Sequence, residues 1–455
     1  MTQPAETVVP FFRTGSYAPV SDELTAFDLH VDGAIPPELN GWYLRNGPNP
    51  RQNTDHWFTG DGMIHGVRLE NGRAAWYRNR WVRTESFDQP APMYNPDGSR
   101  NLHRSVANTH VIRHAGKTLA LVEAALPYEI TNELDTVGAY DFGGKLVNSM
   151  TAHPKICPTT GELHFFGYGS LTDPHVTYHR ADASGQLTIN RGVEVKALTM
   201  MHDFALTAKH VIFMDLPIVF DLDIARNNKG DIPFRWDDNY GARLGVLRRD
   251  DPYGPIRWFD IDPCYVFHVA NAYDRGNSIV LQAVRYPELW RDNHKWHTNR
   301  GFGTEGVMWR WAIDLDRGSV DEHQIDDQGV EFPRIDDRLA GLPARYAITV
   351  GSQDGVAPVP RSGSLVRYDL DRGSAEEHLF DNDGTPGAPG EAVFVPAGPG
   401  ADELAGWYLS YVYDPVRNGS DLVIIDASNF TGKPVARVHL PQRVPHGFHG
   451  NWITD

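Results

Sequence analysis

Short apolar runs rich in β-branched and aromatic residues, each closed by a polar turn, make up most of the chain from Phe27 onward. The turns contain dipeptides ending in glycine: Asp32-Gly33, Asn71-Gly72, Ala115-Gly116, Thr160-Gly161, Ser184-Gly185 and Arg275-Gly276. Two β-prone runs on either side of such a turn predict an antiparallel hairpin. Helical periodicity is scarce, the best stretch being a short one near Leu339 to Arg345, and helices do not alternate with strands. The pattern predicts an all-β fold.

An internal repeat indicates how the hairpins are organised. Residues 311–323 match residues 366–378, and each copy predicts a strand, an Asp-Arg-Gly turn and a second strand. Units of four short strands that recur every 40–55 residues or so are typical of β-propeller blades. The alternative, that the repeat is only a common hairpin turn, remains open at this point. We expect a single seven-bladed β-propeller domain over residues 28–455, with residues 1–27 as a leader segment packed on it.

Histidines stand at the start of three of the predicted hairpins, at His153, His202 and His268, and a fourth candidate lies near the C-terminus at His446 or His449. A propeller gathers its innermost strands around one axis, so equally placed histidines would meet there. Four neutral imidazoles suit Fe(II), Zn or Cu. A single histidine is more often a surface or core residue. A metal site is favoured here because three histidines occupy the same position in their predicted hairpins.

Three glutamates lie in apolar, strand-like settings, at Glu123, Glu331 and Glu391. A buried carboxylate without a partner is unfavourable. A metal-bound imidazole usually donates its second N–H to a carboxylate, which would provide that partner. From the residues alone, an ordinary place on an edge strand is an equally good interpretation of each glutamate.

Charge and cysteine content narrow the function classes. The net charge of −17, from 59 acidic and 42 basic residues, argues against nucleic acid as a partner. The two cysteines, Cys157 and Cys264, form no C-x-x-C pair, which suits a reducing cytosol and excludes a thiolate metal site. The N-terminus lacks signal-peptide features, and no apolar run approaches the ~20 residues of a spanning helix. We therefore expect a cytoplasmic protein. Neither a dinucleotide-binding nor a phosphate-binding glycine motif is found.

Seven motifs spread over about residues 28–452 resemble those of the carotenoid cleavage oxygenase family, which includes carotenoid-, apocarotenoid- and stilbene-cleaving enzymes. They occur in family order and are highly specific together: Ile35–Pro50, Trp57–Met63, Thr151–Pro154, Met201–Phe204, Phe267–Val269, Glu331–Pro333 and Gly447–Gly450. The resemblance implies a seven-bladed propeller in which loops and short helices form a cap over a metal axis.

The resemblance also implies a site, with Fe(2+) as the cofactor. The implied metal ligands are His153, His202, His268 and His449. Their implied carboxylate partners are Glu123 for His202, Glu331 for His268 and Glu391 for His449, which leaves His153 without one. His446 is the rival for the fourth position, and the family motif with its flanking glycines favours His449. Thr109 matches a family threonine whose methyl group partly covers an iron position.

The implied reaction is oxidative cleavage of a C=C bond with O2 into two carbonyl products, which is redox-balanced without another cofactor. Stilbene-cleaving members resemble one another in a lysine that binds the phenol together with a tyrosine. Val122 stands in place of that lysine here, whereas Tyr94 matches the tyrosine only across a gap. We therefore expect a carotenoid or apocarotenoid, with cleavage of stilbenes or phenylpropenes as the alternative. Phe58 is a candidate for the substrate tunnel, with plain blade packing as an equal alternative.

Two other function classes use the same fold. A hydrolytic propeller such as a lactonase would place Asp, Asn and Glu oxygens around calcium at the axis. A non-catalytic interaction propeller would lack buried ionisable clusters. The partners that we expect are a small apolar alkene and O2, with no nucleic acid. The chain is expected to be a monomer, and transient contact with a membrane surface is left open.

Overall fold

Antiparallel strands in seven blades account for most of the regular structure. A computed structural model describes residues 9–51, 54, 56–89, 91–227, 232–291, 304–352, 363–382 and 384–455. From the axis outward, blades 1 to 4 contain the following strands. Blade 1 has β34 (Gly450–Thr454), β3 (Gly41–Pro48), β4 (Gly62–Glu70), β5 (Arg73–Trp81) and β1 (Thr25–Phe27). Blade 2 has β6 (His110–His114), β7 (Lys117–Leu121), β8 (Tyr128–Ile130) and β9 (Thr136–Ala139). Blade 3 has β10 (Lys155–Ile156), β11 (Leu163–Tyr168), β12 (Val176–Ala181) and β13 (Leu187–Val193). Blade 4 has β14 (Ala205–Leu206), β15 (His210–Asp215), β18 (Ala242–Arg248) and β19 (Arg257–Ile261).

One long strand connects blades 5 and 6. Blade 5 has β20 (Tyr265–Arg275), β21 (Ser278–Tyr286), β22 (Val307–Asp314) and the first part of β23 (Ser319–Arg334). Blade 6 has the end of β23, β24 (Tyr346–Gly351), β25 (Ser364–Asp369) and β26 (Ser374–Leu379). Blade 7 has β29 (Ala388–Pro389) and β30 (Val393–Pro396), which both pair with β31 (Gly406–Asp414), then β32 (Gly419–Asp426), β33 (Ala436–His439) and β2 (Val31–Gly33). The expectation of an all-β, seven-bladed propeller is confirmed.

The two ends of the chain close the ring in two places. Strand β34 pairs with β3, with Gly41 opposite Thr454, and so becomes the innermost strand of blade 1. Strand β2 pairs with β33 of blade 7, with Val31 opposite Val438. Residues 9–27 pack on the propeller, since Phe12 and Tyr17 are buried. The first and last blades therefore each combine residues from both ends of the chain.

Smaller elements lie outside the blades. They are the hairpin β16 (Ile218–Phe220) and β17 (Phe234–Trp236), the pair β27 (Asp381–Asn382) and β28 (Thr385–Pro386), helix α1 (Leu222–Asn227), and 3-10 turns at Phe11–Arg13, Gly15–Tyr17, Trp57–Thr59, Asp337–Leu339 and Ala427–Asn429. None of the helices in the described part of the chain has the length and apolar character needed to cross a bilayer.

The hairpin turns follow the sequence signals. In the turn from β6 to β7, Ala115 and Gly116 have φ angles of 48° and 76°, and Asn71 and Gly72 between β4 and β5 have 50° and 72°. Two consecutive positive φ angles define the two-residue turn whose twist matches that of the flanking strands. The internal repeat is likewise the hairpin β22–β23 in blade 5 and β25–β26 in blade 6. These hairpin predictions are confirmed.

Two local expectations differ from the structure. The helical pattern near Leu339 to Arg345 yields only the 3-10 turn Asp337–Leu339, because Gly341 adopts a positive φ of 83° and Pro343 cannot continue a helix. Asp32-Gly33 is not a hairpin turn but the end of β2. A Cβ on Gly33 would lie 2.3 Å from the backbone oxygen of Val435, so glycine permits the close approach of β2 to blade 7.

Candidate active site

Four histidines converge at the propeller axis from the innermost strands of four blades. His153 and His202 lie shortly before β10 and β14, His268 lies within β20, and His449 immediately precedes β34. At His268 the pairing of β20 with β21 is irregular, with register shifts between Val266 and Val269. Such an irregularity within a strand changes the direction of the side chain that it carries. The side chains of all four histidines are at most 11% exposed.

The distances between the imidazoles fit a shared ion. The Nε2 atoms of His153 and His202 are 3.0 Å apart, and those of His202 and His268 are 3.4 Å apart. The ring of His449 lies 4.6 Å from that of His153 and 4.7 Å from that of His268. Two nitrogens about 2.1 Å from one ion would be about 3.0 Å apart at a right angle. The donors are therefore imidazole nitrogens at coordination spacing, not the oxygens that a calcium site requires.

Three of the four histidines have a glutamate on the other ring nitrogen. Glu123 contacts Nδ1 of His202, and a Glu331 oxygen lies 2.5 Å from Nδ1 of His268. The third pair joins Glu391 to Nδ1 of His449 at 2.8 Å. An Nδ1–H that donates to a carboxylate leaves the Nε2 lone pair free to face the axis. The structure thus brings together the three pairs that the family resemblance implied.

Each glutamate is itself held by a further residue. The hydroxyls of Tyr168 and Tyr286 donate to Glu123 at 2.6 Å and to Glu331 at 3.1 Å. Arg334, whose side chain is 14% exposed, donates to Glu391 at 3.0 Å. Burial and the adjacent carboxylate raise the pKa of both tyrosines well above the ordinary value, so both remain proton donors. These contacts fix the carboxylates that orient the imidazoles.

Burial sets the protonation of the cluster. Burial first, and then the neighbouring imidazoles, hold the pKa values of His153 and His449 well below the ordinary value. Burial also disfavours the charged form of His268, but the attraction and hydrogen bond of Glu331 outweigh it and raise its pKa. His153 and His449 are therefore neutral imidazoles near neutral pH, the form in which histidine binds a metal.

The fourth histidine of the cluster is His449 and not His446. The ring of His446 packs 5.0 Å from Tyr17, and its backbone N–H donates to Ser16. Thr109 lies next to the cluster, since its carbonyl oxygen accepts the His449 N–H at 3.0 Å. Its hydroxyl donates to Asn108 at 2.9 Å, so the methyl group is the part of the side chain that makes no hydrogen bond.

An apolar cavity of about 200 Å³ opens on one side of the cluster. Phe58, Tyr94, Val122 and Thr109 all line it, so the structure places every sequence-predicted pocket residue there. The hairpin β16–β17 contributes further walls through residues 232–234. Cap elements outside the blades thus cover the histidines with a mostly apolar chamber.

A second, more polar cavity of about 530 Å³ is lined by three of the four histidines, His153, His268 and His449. Its lining includes Lys155, Asp203 and Arg334, and it also includes His110 at the start of the inner strand of blade 2. Nδ1 of His110 lies 2.9 Å from the carbonyl oxygen of Ala152, and burial lowers its pKa to about 4. Histidines of the cluster therefore line two cavities, of which the second carries more charged side chains.

Sequence reasoning missed several residues of this site, namely Tyr168, Tyr286, Arg334, His110 and Arg100. Arg100 lines the apolar cavity, and its guanidinium lies 5.4 Å from the centre of the Tyr94 ring. The one available signal was for His110, which begins a β-run as His202 and His268 do. The others join the site only through contacts between distant parts of the chain.

The chain is similar to known proteins over nearly its whole length. The family model described as retinal pigment epithelial membrane protein matches residues 17–454. A carotenoid cleavage oxygenase of Mycobacterium tuberculosis is 39% identical, covering 99% of this chain and 98% of its own length. Isoeugenol monooxygenase of Pseudomonas nitroreducens is 33% identical, covering 96% and 97%.

Solved structures show the same fold over nearly the whole chain. The lignostilbene dioxygenase of Pseudomonas brassicacearum superposes with a TM-score of 0.86 at 26% identity, covering 98% of this chain and 100% of its own. The cobalt-substituted apocarotenoid oxygenase of Synechocystis gives 0.84 at 25% identity, with 98% of each chain covered. The family is one of metalloenzymes that act on small alkenes with O2. This chain belongs to that family, the carotenoid cleavage oxygenases, and is an oxygenase enzyme.

Proposed function

We propose that the protein is a non-haem Fe(II) dioxygenase that cleaves a C=C bond of a carotenoid or apocarotenoid with O2 into two carbonyl products. One observation carries the proposal: four buried imidazoles, three of them fixed by glutamates, converge at the inner end of an apolar cavity. Adding both atoms of O2 across a C=C bond gives two carbonyl groups, so no further electron donor is needed.

The proposed ligands are His153, His202, His268 and His449. Their fit to an ion rests on the neutral state of His153 and His449 and on the coordination spacing of the Nε2 atoms. Fe(II) held there would supply the binding and activation of O2 beside the alkene. Borderline metals such as Zn and Cu also suit imidazole, so the identity of the ion is part of the proposal.

The remaining site residues are proposed to position the reactants. Glu123, Glu331 and Glu391 orient the ligands through Nδ1. Thr109, which lines the cavity beside His449, would limit access to an ion held there through its methyl group. The apolar walls exclude water and hold the alkene against the axis. The proposed reaction, C=C plus O2 to two carbonyl groups, requires no proton transfer to the substrate.

Two lining residues support an oxygenated polyene as the substrate. Val122 offers no charge or hydrogen bond, so it suits a hydrocarbon chain. Arg100 places a cation in an otherwise largely apolar lining, with its Nε–H donating to the carbonyl oxygen of Ala124 at 2.9 Å. An apocarotenoid has a long apolar chain and one oxygen-bearing end, which fits both features.

A second candidate function is cleavage of phenolic stilbenes or phenylpropenes. Arg100 next to Tyr94 provides a cation and a hydroxyl, the two groups that a phenol requires, although Val122 replaces the family lysine. The similarity to isoeugenol monooxygenase and to lignostilbene dioxygenase favours the same candidate. Relative kcat/KM for an apocarotenal and a 4-hydroxystilbene decides between the two.

We also infer that the protein acts as a cytoplasmic monomer and does not bind nucleic acid. Cys157 and Cys264 are buried free thiols, which suits a reducing compartment, and the net charge is −17. The molar mass in solution, measured by light scattering, tests whether the protein is a monomer. Partition between membrane pellet and supernatant after lysis tests whether the protein also contacts membranes.

The test of the proposed function is metal dependence. Chelation should abolish cleavage of an apocarotenal in air, and Fe(II) should restore it where Zn(II) does not. Cleavage that persists in metal-free protein, or that Zn(II) restores equally, would contradict the proposal.

A further inference from the structure

A second group of metal-binding side chains lies at the outer edge of blade 7, far along the sheet from the axis. His30 immediately precedes β2, Asp32 lies within it, and His439 ends β33. The backbone N–H of His439 donates to the carbonyl oxygen of His30 at 2.9 Å, so the two histidines are cross-strand neighbours. Residues two apart on a strand share a face, which brings Asp32 to the same side as His30.

The three side chains present their donor atoms to one point. Nε2 of His439 is 2.8 Å from one Asp32 oxygen, and Nε2 of His30 is 3.3 Å from the other. The two imidazole rings stack with centroids 5.2 Å apart and an interplanar angle of 15°. One donor atom from each residue lies within 4.8 Å of the other two. A single ion can therefore reach all three.

A fourth residue, the fully buried Asp421, prepares His439 as a ligand. Nδ1 of His439 lies 2.9 Å from Oδ1 of Asp421, the oxygen that also accepts from Arg417 at 2.8 Å. The other oxygen of Asp421 accepts from Arg437 at 2.9 Å. A buried carboxylate on one ring nitrogen fixes the tautomer and directs the other nitrogen outward. This is the same arrangement that Glu391 gives His449 at the axis.

A metal-free interpretation of these contacts also exists. A protonated His439 could donate to Asp421 and Asp32 together, with a proton where the ion would be. The hydrogen bond from His439 lowers the pKa of Asp32, so the carboxylate is ionised at neutral pH in either case. In that interpretation His30 is a separate neighbour of Asp32, with its Nε2 3.3 Å from the other carboxylate oxygen.

We propose that His30, Asp32 and His439 form a second metal site, specific for a divalent transition ion such as Zn²⁺. Two imidazoles and one carboxylate, with solvent in the fourth position, are a ligand set that Zn²⁺ accepts. The ion would join β2, near the N-terminus, to β33, near the C-terminus. Binding would therefore fasten the outer strand of the last blade and stabilise the folded protein.

The test uses iron-loaded protein titrated with Zn²⁺ by calorimetry, with iron counted before and after. The parent should bind one further equivalent without release of iron, and its thermal midpoint should rise. His30→Ala and Asp32→Asn should each weaken this binding at least tenfold and remove the thermal shift. His30 and Asp32 are exposed by 74% and 64%, so both variants should fold normally. His103→Ala, an exposed histidine with one carboxylate neighbour at 3.0 Å, is the matched control and should bind as the parent does.

Failure here is separable from failure of the proposed function. A parent that binds no further equivalent, or variants that bind it as tightly as the parent, would overturn the second site and would favour the bridging proton. Neither result bears on the proposed function, because cleavage activity should be equal in the parent and in all three variants.

Discussion

Glu331 provides the sharpest test of how the carboxylates act. It is 2% exposed and accepts two hydrogen bonds at one oxygen, from Nδ1–H of His268 and from the backbone N–H of Phe332, and a third at the other oxygen from Tyr286. In Glu331→Gln the amide oxygen can still accept from His268, and the amide NH2 can donate to the Tyr286 hydroxyl. The shape and the hydrogen-bond count are kept, and the negative charge is lost.

The expected size of the effect follows from that lost charge. A hydrogen bond to a charged group contributes about 1.5–3 kcal/mol, and a neutral one about 0.5–1.5 kcal/mol. The difference of about 1–1.5 kcal/mol corresponds to roughly tenfold weaker metal binding. Measured losses for residues in this outer position run from about tenfold to a hundredfold. We therefore expect Glu331→Gln to bind iron at least tenfold more weakly and to lose activity in proportion.

The assay is competition for Fe(II) against a chelator, together with kcat and KM at saturating iron. Glu322→Gln is the matched control, because Glu322 lies on the same strand β23 and accepts from Trp311 and Asp262 away from the axis. The control should retain parental iron affinity. If Glu331→Gln also retained parental affinity and turnover, the proposed role of the three glutamates would be refuted.

Three further predictions concern the ligand set and the cavity. His449→Ala should remove both iron and activity, whereas His446→Ala should be mild; equal losses in metal analysis would require the fourth ligand to be reassigned. Val122→Lys should lose activity on an apocarotenal, because the cavity would have to hold a desolvated ammonium group; undiminished kcat/KM would show that the polyene does not pass residue 122. Arg100→Leu should raise KM about tenfold or more for substrates with an oxygenated end, a loss of about 1.5–3 kcal/mol for a charge-assisted hydrogen bond; an equal change for a hydrocarbon carotene would assign Arg100 a structural role instead.

The fold was largely predictable because its signals are local. The turn at Ala115-Gly116 and the repeated hairpin of residues 311–323 each specify a pair of strands through a few neighbouring residues. The pairing of β2 with β33 was not predictable, since it joins residues some 400 positions apart by ring closure. The short helix α1 was also missed, although Asp221 caps it by accepting from the N–H groups of Asp223 and Ile224.

The candidate site also has a part that the sequence predicts and a part that it does not. Three of the histidines were identified from their matching positions in predicted hairpins. The family resemblance selected His449 as the fourth and assigned a glutamate to three of the four. The groups that hold those glutamates were not identified, because nothing in the sequence around Tyr168, Tyr286 or Arg334 marks them. Arg100 was not identified because an arginine in a polar segment is usually exposed. Its position in the cavity lining becomes visible only in the folded structure.

The central claim is that the chain inserts both atoms of O2 into one C=C bond. Iron-loaded protein should be incubated with an apocarotenal under O2 enriched in the heavy oxygen isotope, and the products reduced at once to prevent exchange with water. Cleavage by a dioxygenase should give two fragments that each carry one labelled oxygen. Absence of cleavage, or label in only one fragment or in neither, would contradict it.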